Sequence, residues 1–256
     1  MNMQEFVNNS LASTSALYDG HLRRHTYLRV SVTDRCNLRC TYCMPQTGVK
    51  WRERDEILTL EELSRVIACM ATAGITKVRF TGGEPLVRKD LAWLIAKVSQ
   101  FPNIEKVAMT TNGILLQDHL QQLVEAGLSA VNISLDTLQS ERFEKITRFD
   151  KLSDTLAGIN AALRYENLTV KINMVVTADV NDDELCDFIE YFCDTPVELR
   201  FIEYMPFRGT QWQPASLLPF SEILLRVSEK YLLIADPNKS IHATAKQYRI
   251  PGKQLK

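Results

Sequence analysis

Six short β-branched or apolar runs recur along the chain, each followed by a loop and a longer stretch of helical period. They are Tyr27–Val32, Lys77–Gly82, Lys106–Thr111, Ala130–Asp136, Thr169–Val176 and Val197–Tyr204. Strands that alternate with helices specify repeated βα units around a parallel sheet. Six such units predict an α/β fold, a partial (β/α)6 TIM-like barrel, with a flat doubly wound sheet as the alternative. In either arrangement the functional site lies at the C-terminal ends of the strands. The helix boundaries are written locally. Thr59 followed by Glu62 forms a capping box, Leu60, Leu63, Val66, Ile67 and Met70 share a face, and Gly74 ends the helix. Leu116, Leu120, Leu123 and Val124 repeat the stripe, with Gly127 as the stop.

The chain has 256 residues, of which 45% are hydrophobic, enough for a well-buried domain. Its formal net charge of −1 gives no global field toward nucleic acid or a membrane surface, so any anion site must be local. The apolar runs, such as Leu91 to Val98, are too short for a membrane span. Met1 to Asp19 contains Glu5 and Asp19 but no Lys or Arg, unlike a signal or transit peptide. Residues 1–24 are expected to form a flexible arm, 25–213 the barrel and 214–256 a C-terminal extension.

Three of the six cysteines fall within eight residues, as Cys36-Asn-Leu-Arg-Cys40-Thr-Tyr-Cys43, directly after the first strand. Such crowding indicates a metal site in a reducing, cytoplasmic compartment and not a disulfide framework. Three thiolates can ligate three irons of a cubane cluster and leave the fourth open. A structural zinc ion is the alternative, but it needs a fourth ligand, and the nearby candidates, His21 and His25, stand on the other side of a strand.

The Cys36–Cys43 run resembles the signature of the radical S-adenosylmethionine (SAM) superfamily. The ordered set Leu28–Asn37, Lys77–Pro85, Thr110–Gly113, Asn132–Asp136, Lys171–Asn173 and Arg200–Pro206 resembles the GTP 3′,8-cyclase family of molybdenum-cofactor biosynthesis. The resemblance implies a radical SAM barrel holding one 4Fe-4S cluster and SAM. Reductive cleavage of SAM would give a 5′-deoxyadenosyl radical that takes a hydrogen atom from GTP, for conversion to 3′,8-cyclo-7,8-dihydro-GTP. It further implies that Tyr42, Gly82, Gly83, Glu84, Ser134 and Met205 contact SAM, and that Arg29, Arg79, Thr110 and Lys171 contact GTP, with Lys77 and Arg200 as further basic positions. The implied partners are GTP or a related nucleotide, an electron donor such as flavodoxin or ferredoxin, and a second copy of the chain in a homodimer, with no nucleic acid and no membrane. Another radical SAM activity, on a peptide or nucleoside, or a silent SAM- and cluster-binding module are the alternatives. The family carries a second three-cysteine cluster near its C-terminus, whereas no cysteine follows Cys193 here, so residues 214–256 are expected to be a truncated form of that region.

Lys and Arg are rarely buried unless paired. Arg29, Lys77, Arg79, Lys171 and Arg200, all in predicted strands, are accounted for equally by an anionic ligand and by solvated strand ends or pairs with internal carboxylates such as Glu84, Glu198 and Glu203, and the resemblance favours the ligand. Cys69, Cys186 and Cys193 read as small core residues, and Trp93 as a packing residue of its helix.

Overall fold

The computed structural model describes residues 16–45, 48–206, 212–236 and 245–255. Its elements follow in order as β1 (Tyr27–Ser31), α1 (Leu60–Thr72), β2 (Lys77–Thr81), α2 (Leu91–Ser99), β3 (Lys106–Thr111), α3 (Leu116–Glu125), β4 (Ala130–Ser134), α4 (Ser140–Thr147), α5 (Leu152–Ala162), β5 (Thr169–Val176), α6 (Leu185–Phe192), β6 (Glu198–Glu203), α7 (Phe220–Ser228), β7 (Ile234–Ala235) and β8 (Tyr248–Arg249). The first six strands form one sheet in sequence order, and β7 pairs with β8 in a small antiparallel ribbon. A doubly wound sheet reverses its strand order at a switch point. The order β1 to β6 has no reversal, so the helices return on one side, as in a partial TIM-like barrel.

The chain divides into two compact units. The first comprises Met1–Asn37, Lys50–Thr111 and Leu115–Val131, and the second Leu38–Val49, Asn112–Ile114 and Asn132–Lys256.

In the first unit β1 and β2 are parallel and in register, with Arg29 opposite Arg79. Val78 and Phe80 are fully buried, while Lys77, Arg79 and Thr81 alternate with them and take the other face. Thr59 caps α1, accepting from the Glu62 N–H at 3.2 Å while the Glu62 carboxylate takes the Thr59 N–H at 2.8 Å. Such a cap contributes about 1 kcal/mol. The helix buries Leu60, Leu63, Ile67, Ala68 and Ala71, but the stripe was drawn slightly too wide, since Val66 is exposed. Gly74 ends it with φ at 97°, a left-handed conformation that disfavours side chains. α2 buries Leu91, Leu94, Ile95 and Val98, and each fully covered aliphatic side chain contributes about 1.5–3 kcal/mol. Trp93 departs from expectation: it projects from α2 with 39% of its surface exposed, because it falls off that stripe. The expected N-terminal arm lies mostly outside the described residues. Its described end is tied down, with the Leu17 N–H on Ala73 O and the His25 N–H on Leu17 O.

In the second unit β5 alternates strictly, burying Val170, Ile172, Met174 and Val176. α6 adds Leu185, Phe188, Ile189 and Phe192 to that core. The buried Glu184 carboxylate accepts from Thr137 Oγ1 at 2.6 Å and from the Leu138 N–H at 2.7 Å, and it pairs with Arg142, which pins the segment after β4. Cys186 and Cys193 are half-buried and Cys69 in the first unit is exposed, so none is the core residue the sequence suggested.

Candidate active site

Parallel pairing of β1 with β2 continues past the ends of both strands. The Val32 N–H reaches Thr81 O at 2.9 Å, the Gly83 N–H reaches Thr33 O at 2.8 Å, and the Glu84 N–H reaches Arg35 O at 2.8 Å. Glycine makes this approach possible. A Cβ on Gly82 would stand 2.5 Å from Thr33 O, and one on Gly83 would stand 2.3 Å from Arg35 O. Both neighbours are backbone atoms that cannot swing aside. Glu84 is 1% exposed, and its Oε1 accepts from Thr111 Oγ1 at 2.7 Å and from the Leu86 N–H at 3.0 Å. The strand-end motif is thereby locked onto the residue that precedes Cys36.

The cysteine loop is held by its own backbone. Cys40 O accepts from the Cys43 N–H at 3.1 Å and the Met44 N–H at 2.9 Å, one tight turn. The Arg39 N–H on Thr147 O and the Thr41 N–H on Ile146 O fix that turn to the end of α4. Buried Leu38 and Met44 anchor it. Cys36 and Cys40 are half-buried and Cys43 is exposed. Among the described residues no group of three or more His, Cys, Asp or Glu side chains is gathered around a metal position. The donor set nevertheless fits a cubane cluster, which takes thiolates and tolerates an open iron, better than a closed tetrahedral zinc site.

Tyr42 is joined to a residue that the sequence reading missed. Its hydroxyl donates to Asp136 Oδ2 at 2.6 Å, while Asp136 Oδ1 accepts the Val175 N–H at 2.8 Å. Burial pushes the Asp136 carboxyl up to about 6, against the lowering effect of those two hydrogen bonds. Burial, reinforced by Asp136, raises the Tyr42 phenol well above its ordinary value. Asn181 spans Asp136 O at 2.7 Å and Val175 O at 2.9 Å. Tyr42 and Tyr204 meet edge to face, with centroids 6.3 Å apart, beside a cavity of about 140 Å³ that Asp136, Val175 and Val180 also line. The signal for Asp136 was an acid directly beyond an apolar strand, where burial was predictable and the partner was not.

The strand-borne cations divide into two kinds. Arg79 is 6% exposed, donates to Thr110 Oγ1 at 3.1 Å and lies 5.9 Å from the centre of the Tyr27 ring, over which Lys77 also stands at 4.8 Å. Arg29, its register partner, is exposed. Lys171 and Arg200, by contrast, both pair with Glu198. Burial works against the Glu198 charge, yet hydrogen bonds from Lys171 and Arg200 hold its carboxyl below the ordinary value. For Lys171 and Arg200 the structure shows the pairing with an internal carboxylate that the sequence offered as the alternative, and register places Glu198 opposite Lys171. Ser134 is half-buried at the end of β4, and Met205, just beyond β6, is 55% exposed. Asn132, buried, and Asn173, half-buried, each carry a buried Oδ1 with no hydrogen-bond partner.

Comparison with known proteins places this geometry. Residues 30–192 match the model of the radical SAM superfamily. SuiB of Streptococcus suis, in its crystal structure with S-adenosylmethionine bound, has the same fold, with a TM-score of 0.63 and 16% identity over 80% of this chain and 47% of that one. The GTP 3′,8-cyclase of Peptoclostridium acidaminophilum is 44% identical over 93% of this chain and 73% of its own length. Molybdenum cofactor biosynthesis protein 1 of Dictyostelium discoideum is 45% identical over 97% of this chain and 40% of its own. The chain belongs to the radical SAM superfamily and, within it, to the GTP 3′,8-cyclase family. It spans about two-fifths of the first two curated relatives it matches.

Proposed function

We propose that the chain holds a 4Fe-4S cluster through Cys36, Cys40 and Cys43, binds SAM, and converts GTP to 3′,8-cyclo-7,8-dihydro-GTP in molybdenum-cofactor biosynthesis. The observation that carries this reading is the backbone ladder locking Gly83 and Glu84 onto Thr33 and Arg35, directly before the first cysteine. Bound together, the cluster and SAM supply one-electron cleavage of SAM, the start of the radical chemistry. The residues of the chain do the rest. Gly82 and Gly83 let backbone approach the methionyl end of SAM, and the buried Glu84 keeps that edge rigid, with Tyr42, Ser134 and Met205 as further SAM contacts. Arg29, Arg79 and Thr110 take the triphosphate with Lys171, and Lys77 and Arg200 add positive charge. Guanidinium forks suit phosphate oxygens because two parallel N–H groups match two oxygens. The electron comes from a small redox protein such as flavodoxin or ferredoxin, and the reaction runs in the cytoplasm, in a monomer or homodimer.

Anaerobic reconstitution with iron and sulfide, followed by product analysis with SAM, dithionite and GTP, tests each part. A brown protein with about one four-iron cluster, 5′-deoxyadenosine and a cyclised nucleotide is the expected result, and Cys40→Ala should abolish all three. Zinc that survives iron reconstitution would remove the cluster from the reading. Deoxyadenosine without cyclised nucleotide would move the substrate to a peptide or nucleoside.

A further inference from the structure

The first unit carries a cation for which the functions above have no use. Register sets Tyr27 of β1 opposite Lys77 of β2, and Lys77 opposite Lys106 of β3. Alternation puts Lys106 on the face of Thr110, which accepts from Arg79, and so on the face of the other strand-borne cations of this unit. Lys106 is half-buried, and among the described residues it has no carboxylate partner. Like charges directly opposite each other on neighbouring strands are destabilising, the more so where burial reduces screening by water. An anion between the two ammonium groups removes that cost. Successive residues on one face of a strand lie about 6.6 Å apart. Tyr27, Lys77 and Lys106 therefore form a first level, Arg29 and Arg79 a second, and Ser31 and Thr81 a third, nearest the loop that carries Cys36.

We propose that Lys106 is a further substrate-binding residue, which with Lys77 holds the terminal phosphate of the nucleotide and sets a preference for three phosphates over two. The inference rests on the functional reading above, which puts the reacting ribose beside SAM at the strand ends. The phosphate chain then runs down the inner face toward the strand starts, past Arg79 and on to the first level. A terminal phosphate offers more free oxygens than an inner one, enough for two ammonium groups. Lysine suits such a chain end, because its ammonium is a compact charge with three rotatable donors. The Tyr27 ring, its centre 4.8 Å from Lys77 Nζ, holds that ammonium on this face.

Calorimetry on the reconstituted, SAM-loaded full chain with GTP, GDP and inorganic triphosphate tests this. The natural protein should bind GTP more tightly than GDP. Lys106→Met keeps the apolar stem and removes the charge. It should weaken binding of GTP and of inorganic triphosphate by about 5- to 20-fold, a charge-assisted contact reduced by partial exposure, and that of GDP by less than about 2-fold. Lys106→Arg, which retains the charge, should keep most of the preference for GTP. Equal weakening of GTP and GDP in Lys106→Met would mean that the lysine acts only as a distant charge, and no change in either would leave it a solvated strand start. Each of these results overturns the proposal. If Lys106→Met does not fold, Lys106→Gln carries the same outcomes. Should the natural protein bind inorganic triphosphate, with the same loss in Lys106→Met, but neither nucleotide, the GTP reading falls and the phosphate site stands. Should it bind none of the three, both fall.

Discussion

The end of β1 and β2 and the pair β5–β6 both present polar groups, but they hold them by opposite means. At the first, backbone atoms do the holding: three N–H groups bridge the two strand ends, one donated from the β1 side and two from the β2 side, and two glycines clear the space. At the second, side chains do it: one carboxylate, Glu198, is shared by Lys171 and Arg200. The Tyr42–Asp136 pair belongs with the second kind. Backbone contacts fix position and tolerate no added volume, whereas ion pairs and buried acids can be retuned by charge and pH. The first region is therefore preset by its backbone, whereas the second can change with charge.

The largest effect should come from breaking the backbone-held region. In Gly83→Ala the new methyl would lie within 2.7 Å of three backbone atoms of Asp34 and Arg35, so the ladder must part. Overpacking of this kind costs about 1–3 kcal/mol. The unfolding free energy from denaturant titration should fall by that amount in the ligand-free protein, and iron content after reconstitution should drop with SAM cleavage. Normal stability with normal iron loading would show that the strand ends give more readily than their hydrogen bonds imply.

Much of the backbone-held region was legible in the sequence, because its causes are local. Thr59 and Glu62 are three residues apart, the cysteines are spaced within one loop, and a short β-branched or apolar run marks every strand of the sheet. The side-chain-held region was much less legible. Tyr42 and Asp136 are 94 residues apart, and no periodicity records that they meet. Lys171 and Arg200 stood out as cations in strands, but their partner depends on the register of β5 against β6, which a single strand cannot reveal. Trp93 and Val66 were misjudged because helical stripes have soft edges, and a residue at the margin can face solvent.

A second, smaller effect should follow pH. A carboxyl at about 6 in the folded chain and at 3.8 when unfolded prefers the neutral form in its buried setting. Below the unfolded value both states are protonated and nothing is lost. As pH rises toward and through 6 the folded state must hold a charge in a poor environment, so stability falls. Between pH about 5 and about 7.5 the ligand-free protein should therefore lose about 1–2 kcal/mol relative to Asp136→Asn, read from urea midpoints of both proteins. Parallel profiles for the two would mean that Asp136 is solvated, and that Tyr42 is oriented by packing alone.

The smallest effect concerns the shared carboxylate. With Glu198 ionised, Lys171 and Arg200 are already partly neutralised, so an incoming polyanion must compete with it for both. Glu198→Gln keeps the shape and a hydrogen-bond acceptor while removing the charge, so the two cations become available at little cost in packing. Both are 15–31% exposed at the side chain, where water screens the loss of the pair, and the stability change should stay within about 1 kcal/mol. Triphosphate affinity should then rise by about 3- to 10-fold, and its dependence on salt should steepen because more unpaired positive charge meets the ligand. Calorimetry with inorganic triphosphate at two ionic strengths separates this from any effect on the base. Weaker binding in Glu198→Gln would mean the reverse arrangement: the carboxylate would be a brace that aims the two cations, and β5–β6 would be as preset as the strand ends of β1 and β2.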